Sequence, residues 1–333
     1  MLKTDAPMHD KSGVGKNDAS RSSFELMQAR GAAAFDRLYS PARRALFRRS
    51  MVYLALSGLG THALLVFLAR NLVEPPPLVA AVGTNYLSAL YTPFSFVLFY
   101  EVLLLILSIP ESTTRSLGKQ YEILSLIVIR NVFKDIAEFE SVTDFAGQVV
   151  EFSAVLLDMG GGLLMFFLVA VFYHVNRRRP SSIDSSEAFA RDVATFIERK
   201  KIIALMLSAL LFVIAAFNLI QWCVEVFSVA RFDAVPSIDV RTIFYLDLFT
   251  VMIFADAVIL ILSLLLSGHY VLVFRNAAFV VSTILLRFSL AVKKPYDVEL
   301  GLVSIAFGTL VLLTYNYYLR FSVDRETAEA VGQ

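Results

Sequence analysis

The chain has 333 residues, 57% of them apolar and 13% aromatic, with only 18% charged and a mean hydropathy of +0.66. A soluble domain is about 45–50% apolar, so this composition predicts an integral membrane protein. The formal net charge of +1 gives no electrostatic reason to bind nucleic acid, and the single cysteine, Cys223, excludes an intrachain disulfide or a cysteine-based metal centre.

Residues 1–45 begin with "MLKTDAPMHDKSGVGKNDASRSS", which is polar and lacks the apolar stretch of a cleavable signal. They predict a disordered, then amphipathic, cytoplasmic tail. Arg43, Arg44, Arg48 and Arg49 lead directly into the first apolar run. A spanning helix needs about 20 mostly apolar residues. Residues 51–70, 88–109, 152–175, 202–223, 243–267 and 298–319 meet that need. Residues 121–139 carry Arg130, Asn131, Lys134, Asp135 and Glu138, and residues 276–293 carry Arg287. Each charge at the bilayer centre costs about 2.5–3.5 kcal/mol on insertion scales. The positive-inside rule nevertheless favours spanning for 121–139, because only then do Arg177, Arg178 and Arg179 reach the cytoplasm.

The expected architecture is all-α: a polytopic membrane protein of about eight transmembrane helices, with both termini cytoplasmic, in a plasma or inner membrane. A tail over 1–45 precedes a four-helix unit over 46–180. A cytoplasmic linker over 181–201, with a short surface helix in "SSEAFARDVATFIERKK", leads to a second unit over 202–320 and a tail over 321–333. The two units read as parallel repeats. "FYEVLLLILS" (99–108) aligns with "FADAVILILS" (254–263), "SLIVIR" (125–130) with "STILLR" (282–287), and "VEFSAV" (150–155) with "VELGLV" (298–303), in the same order. An even number of helices per unit makes both units enter from one side, with a pseudo-two-fold axis along the membrane normal.

The repeats place an acid on each second helix, Glu101 and Asp256, and an arginine on each third helix, Arg130 and Arg287. At 1.5 Å per residue, the four lie about 12–16 Å from the cytoplasmic ends of the apolar runs. Acid and arginine therefore share a depth on neighbouring antiparallel helices. Pairing is the economical solution, since an isolated buried ion is neutralised or draws water inward. Arginine suits it by staying protonated and gripping a carboxylate with two donors. An outer layer is expected from Lys134, Asp135 and Glu151, with Lys293 and Glu299 as counterparts, while Asp158 has no evident partner. Asp158 stands just before Gly160, Gly161 and Gly162, which predict a tight helix crossing. Asn218 and Gln221 are expected to bond between helices.

No P-loop, HExxH or GxSxG motif is present, and no soluble segment is large enough for an active site. The chain is therefore expected not to be an enzyme and to use no cofactor or metal. The expected function is permeation of an ion or a proton-coupled solute. The pathway candidates are Glu101, Arg130, Asp158, Asp256 and Arg287. The alternative is a non-catalytic membrane subunit, scaffold or receptor whose buried ion pairs are structural. Expected partners are the lipid bilayer, a small ion or solute, and a homo-oligomer or membrane complex.

Overall fold

A computed structural model describes residues 26–80, 82, 84–138, 149–177, 187–232, 240–264, 270–292 and 294–331, and the described residues contain helices and no strand. In chain order these are α1 (residues 26–38), α2 (Pro41–Asn71), α3 (Pro77–Ala80), α4 (Tyr91–Ser108), α5 (Thr113–Glu138), α6 (Val149–Arg177), α7 (Glu187–Phe232), α8 (Val240–Leu264), α9 (Tyr270–Ala291) and α10 (Tyr296–Val331). The described part of each apolar run recognised in the sequence falls on these helices, with the run at 88–109 beginning in a 3₁₀ turn, Tyr86–Leu90, that leads into α4.

Six segments are long and apolar enough to cross a membrane: Pro41–Asn71, Tyr86–Ser108, Val155–Arg177, Val193–Gln221, Val271–Ala291 and Tyr296–Phe321. By length and composition the chain is a multi-pass membrane protein. The arginine-bearing run at 276–293 belongs to this set. In α8 the described apolar stretch is shorter, Leu248–Ser263. The side chains that face outward fit a lipid solvent. Leu54, Leu56, Phe67, Met206, Phe217, Leu219 and Ile220 are all exposed on α2 and α7, a pattern that would be costly in water.

The polar helix α5 is absent from the six, and its surroundings explain its composition. It packs against α4, α6 and α9, and Leu117, Tyr121, Leu124 and Val128 on it are buried. Leu126 and Phe133 on its other face are exposed, so the face turned to other helices carries the charge that a lipid-facing surface cannot.

Neighbours in sequence are neighbours in space. Helices α2, α4, α5 and α6 pack in succession, and so do α7, α8, α9 and α10. The two sets meet through α5 against α9, α6 against α10, and α4 against α7. Polar contacts link helices within and between the two sets. Ser282 on α9 and Ser304 on α10 each donate a hydroxyl to the other's main-chain carbonyl at 2.8 Å. The Tyr121 hydroxyl on α5 donates to the same Ser304 carbonyl at 3.1 Å and touches Ser282 Oγ. Asn316 on α10 donates to the Val175 carbonyl of α6 at 2.9 Å.

Two sequence expectations are corrected. Residues 187–201 do not form a separate surface helix, because α7 runs unbroken for 46 residues. It contains no glycine or proline to stop it, and at 1.5 Å per residue it is about 69 Å long, far more than a bilayer core of about 30 Å. Among the described residues, Asn218 bonds within its own helix rather than between helices, its Nδ2 donating to the Ile214 carbonyl at 2.8 Å.

The glycines of α6 form a crossing, with the helix continuous through them. A Cβ on Gly161 would overlap Val298 Cγ1 of α10, and one on Gly162 would meet the Ile129 main-chain nitrogen of α5 at 3.1 Å, whereas one on Gly160 would meet nothing within 4 Å. Gly161→Val and Gly162→Val are each expected to destabilise the protein by about 1–3 kcal/mol through overpacking. Gly160→Ala is expected to be neutral, or to stabilise by up to about 1 kcal/mol through helix propensity. Thermal unfolding in one detergent separates the two outcomes.

Candidate functional site: buried acid–arginine pairs

Glu101 stands on α4 and Arg130 on α5, helices joined by residues 109–112, so the chain reverses and brings them side by side. Arg130 Nη2 is ion-paired with Glu101 Oε2, and the two side chains are 11% and 9% exposed. In the second set, Arg287 Nη2 on α9 lies 3.2 Å from Asp256 Oδ2 on α8, with side chains 0% and 8% exposed. Both acid–arginine combinations that sequence spacing brought to one depth are therefore direct contacts.

The second pair has the richer surroundings. Arg287 Nη2 also donates to Gln120 Oε1 of α5 at 3.3 Å. Gln120 Nε2 donates to Ser116 Oγ at 3.1 Å, and Ser116 Oγ stands 3.5 Å from Ser108 Oγ at the end of α4. A file of buried polar groups thus leads from the α4–α5 turn to the Asp256–Arg287 pair. Beside it lies a cavity of about 40 Å³, bordered by Asp256, Lys200, Gln120, Ser116 and Thr283. One water needs about 10–15 Å³, so the space has room for a few beside its polar residues. Lys200 is 3% exposed, and its Nζ donates to the Glu111 carbonyl in the turn at 2.6 Å. Among the described residues, Arg287 Nε and Nη1, and Arg130 Nη1, are buried without a partner. A buried polar group left unpaired costs about 1–3 kcal/mol, which gives both arginines capacity to hold water or a second acceptor.

The outer layer differs from its expected membership. Asp158 is partnered: Lys294 Nζ donates to Asp158 Oδ2 at 2.8 Å and is also ion-paired with Asp135 Oδ2. The lysine comes from the α9–α10 connection and the carboxylates from α5 and α6, so this contact joins the two sets of helices. Sequence distance hid it, since Lys294 is 136 residues from Asp158. The Asp158 side chain is 0% exposed, and its Oδ1 has no partner among the described residues. Glu299 is exposed, and the side chains of Lys134, Glu151 and Lys293 lie outside the described residues. Burial lowers the Lys294 pKa, but hydrogen bonds and charge from Asp135 and Asp158 outweigh it and hold the ammonium above its ordinary 10.5.

Gln120, Ser116 and Lys200 were not singled out by the sequence. The available signal was the four-residue spacing of Ser116 and Gln120, which puts two uncharged polar groups on one face of α5. Comparison with family models, with curated proteins and with solved structures found no match.

Arg287→Met leaves Asp256 buried without its counter-ion and is expected to cost about 3–5 kcal/mol, with most of it recovered in the Asp256→Leu, Arg287→Met double variant. Paired thermal unfolding of the single and double variants measures this. Lys294→Met is expected to destabilise the protein at neutral pH by stranding Asp158. The Lys294 pKa is raised on folding, so its contribution is complete below the unfolded value of 10.5 and fades as pH rises through the higher folded value. The gap in melting temperature between wild type and Lys294→Met should therefore stay constant from about pH 7 to 9 and narrow only above about 10.5.

Proposed function

We propose that this protein mediates permeation of a small ion, or of a solute coupled to protons, across the membrane that holds it. The observation that carries this reading is the Asp256–Arg287 pair, buried at 3.2 Å beside a cavity and at the end of a polar file through Ser108, Ser116 and Gln120. Ionisable groups inside a membrane bundle are expensive and mark ion or proton routes by default. A cavity with room for water beside one supplies a means of exchange. In this reading Asp256 and Glu101 titrate or contact the ion. Arg287 and Arg130 are counter-ions that keep the carboxylates charged or change partner during gating. Asp158, held by Lys294, closes the outer end. No chemistry on a substrate is assigned, and the protein is read as a non-enzyme.

The accompanying topology is eight spans, with α5 and α8 crossing beside the six apolar segments. Both termini are cytoplasmic, the membrane is a plasma or inner membrane, and the spans form two parallel four-helix repeats. Several features support the repeat. Arg130 and Arg287 each stand five residues after a serine, Ser125 and Ser282, on α5 and α9. Ser108 and Ser263, paired in the sequence alignment, each donate to the carbonyl three residues back at 2.7 Å. The third helices touch one another and the fourth helices touch one another, as elements beside a two-fold axis do.

The alternative reading, a membrane subunit or scaffold with structural ion pairs, draws on the direct closure of both pairs, since a buried pair can serve register alone. The double variant Glu101→Gln, Arg130→Leu separates the two. Permeation predicts that correctly folded double variant in liposomes loses ion or proton flux, or changes its selectivity. Flux unchanged from wild type, in protein whose unfolding profile is intact, would assign that pair to architecture.

A further inference from the structure

A second cavity lies away from the ion pairs, at the start of α2. It has a volume of about 360 Å³ and lies between α2, α4 and α7, within the range of about 300–1,000 Å³ typical of small-molecule sites. Its walls are apolar and include Phe47, Leu103, Leu107 and Phe212, while Arg43 and Arg44 border one end. Arg44 is held in place, its Nε donating to the Tyr39 carbonyl at 2.6 Å. Among the described residues, neither guanidinium has a carboxylate within ion-pair distance. The arrangement is two-part: a greasy slot running along the helices, and unneutralised arginines where α2 enters its apolar run. We propose that this slot is a binding site for one anionic phospholipid, with the headgroup phosphate on Arg43 and Arg44 and an acyl chain between α2, α4 and α7.

Three physical points select that occupant. Guanidinium groups grip phosphate oxygens with parallel donors. A soluble anion would leave the apolar walls unfilled, whereas a lipid chain covers them. The lead-in to a first spanning helix lies at the cytoplasmic interface, where anionic lipids are concentrated and basic side chains meet their headgroups. The site is independent of any flux through the bundle.

The test is thermal unfolding of the full chain in neutral detergent. The additives are phosphatidylglycerol, phosphatidylcholine with the same acyl chains, or glycerol phosphate. Phosphatidylglycerol is expected to raise the melting temperature by several degrees, while the zwitterionic lipid and the chainless phosphate leave it unchanged. Arg43→Gln with Arg44→Gln should abolish the difference between the lipids. Ser50→Phe, at an exposed residue that lines the slot, should block it sterically. Arg48→Gln with Arg49→Gln should keep it, because those residues do not line the slot. If the Arg43, Arg44 double variant fails to fold, Arg43→Gln alone at its exposed position carries the test. Equal protection by both lipids, protection by glycerol phosphate, or equal loss in the Arg48, Arg49 variant would each overturn the proposal.

Discussion

The contact between Asp256 and Arg287 sets a condition that the rest of the bundle obeys. An arginine with a side chain 0% exposed tolerates that position only if its charge is met, and one carboxylate at 3.2 Å meets only part of its donor capacity. Gln120 supplies another acceptor from α5. The pair thus requires α5, α8 and α9 to converge at one place. That convergence buries one face of α5 and leaves the small cavity bordered by Asp256 and Lys200. The same logic recurs between Glu101 and Arg130, but with fewer surrounding polar groups.

The buried polar face of α5 and the exposed apolar face of α2 follow from one constraint. Lipid-facing helices must be apolar outward, and α2 is: Leu54, Leu56, Leu64 and Phe67 all face out. The buried faces of helices can carry polar contacts between helices, and those of α5 and α9 do so through Tyr121, Ser282 and the arginines. Close approach follows from small residues at the crossings. Gly161 meets Val298, and Gly308 leaves room for the Tyr121 hydroxyl. In a bilayer, where apolar side chains gain nothing from leaving lipid, such packing and hydrogen bonding hold helices together.

Local pattern in the sequence carried the all-helical class, the placement of the long apolar segments on helices and both acid–arginine combinations. These rest on hydropathy and on helical rise, which are properties of short segments. Contacts that depend on how distant segments meet were not legible. Lys294 reaches Asp158 across 136 residues, and Gln120 reaches Arg287 across 167; no periodicity links them. The unbroken course of α7 was hidden by a change from charged to apolar residues near Lys201, which suggested a boundary where the backbone has no reason to stop. The Arg43–Arg44 slot was half visible, since the sequence displays the arginines but not the apolar walls that α4 and α7 bring to them.

Flux of protons and small monovalent ions through liposomes holding wild-type protein or Asp256→Asn, under an imposed voltage and a pH gradient, tests the central claim most directly. Permeation through the ion-paired region predicts flux in wild type that the substitution removes or reshapes. Folded wild-type protein that passes nothing under either gradient, or flux indifferent to Asp256→Asn, would contradict it and leave the buried charges as the framework of a membrane scaffold.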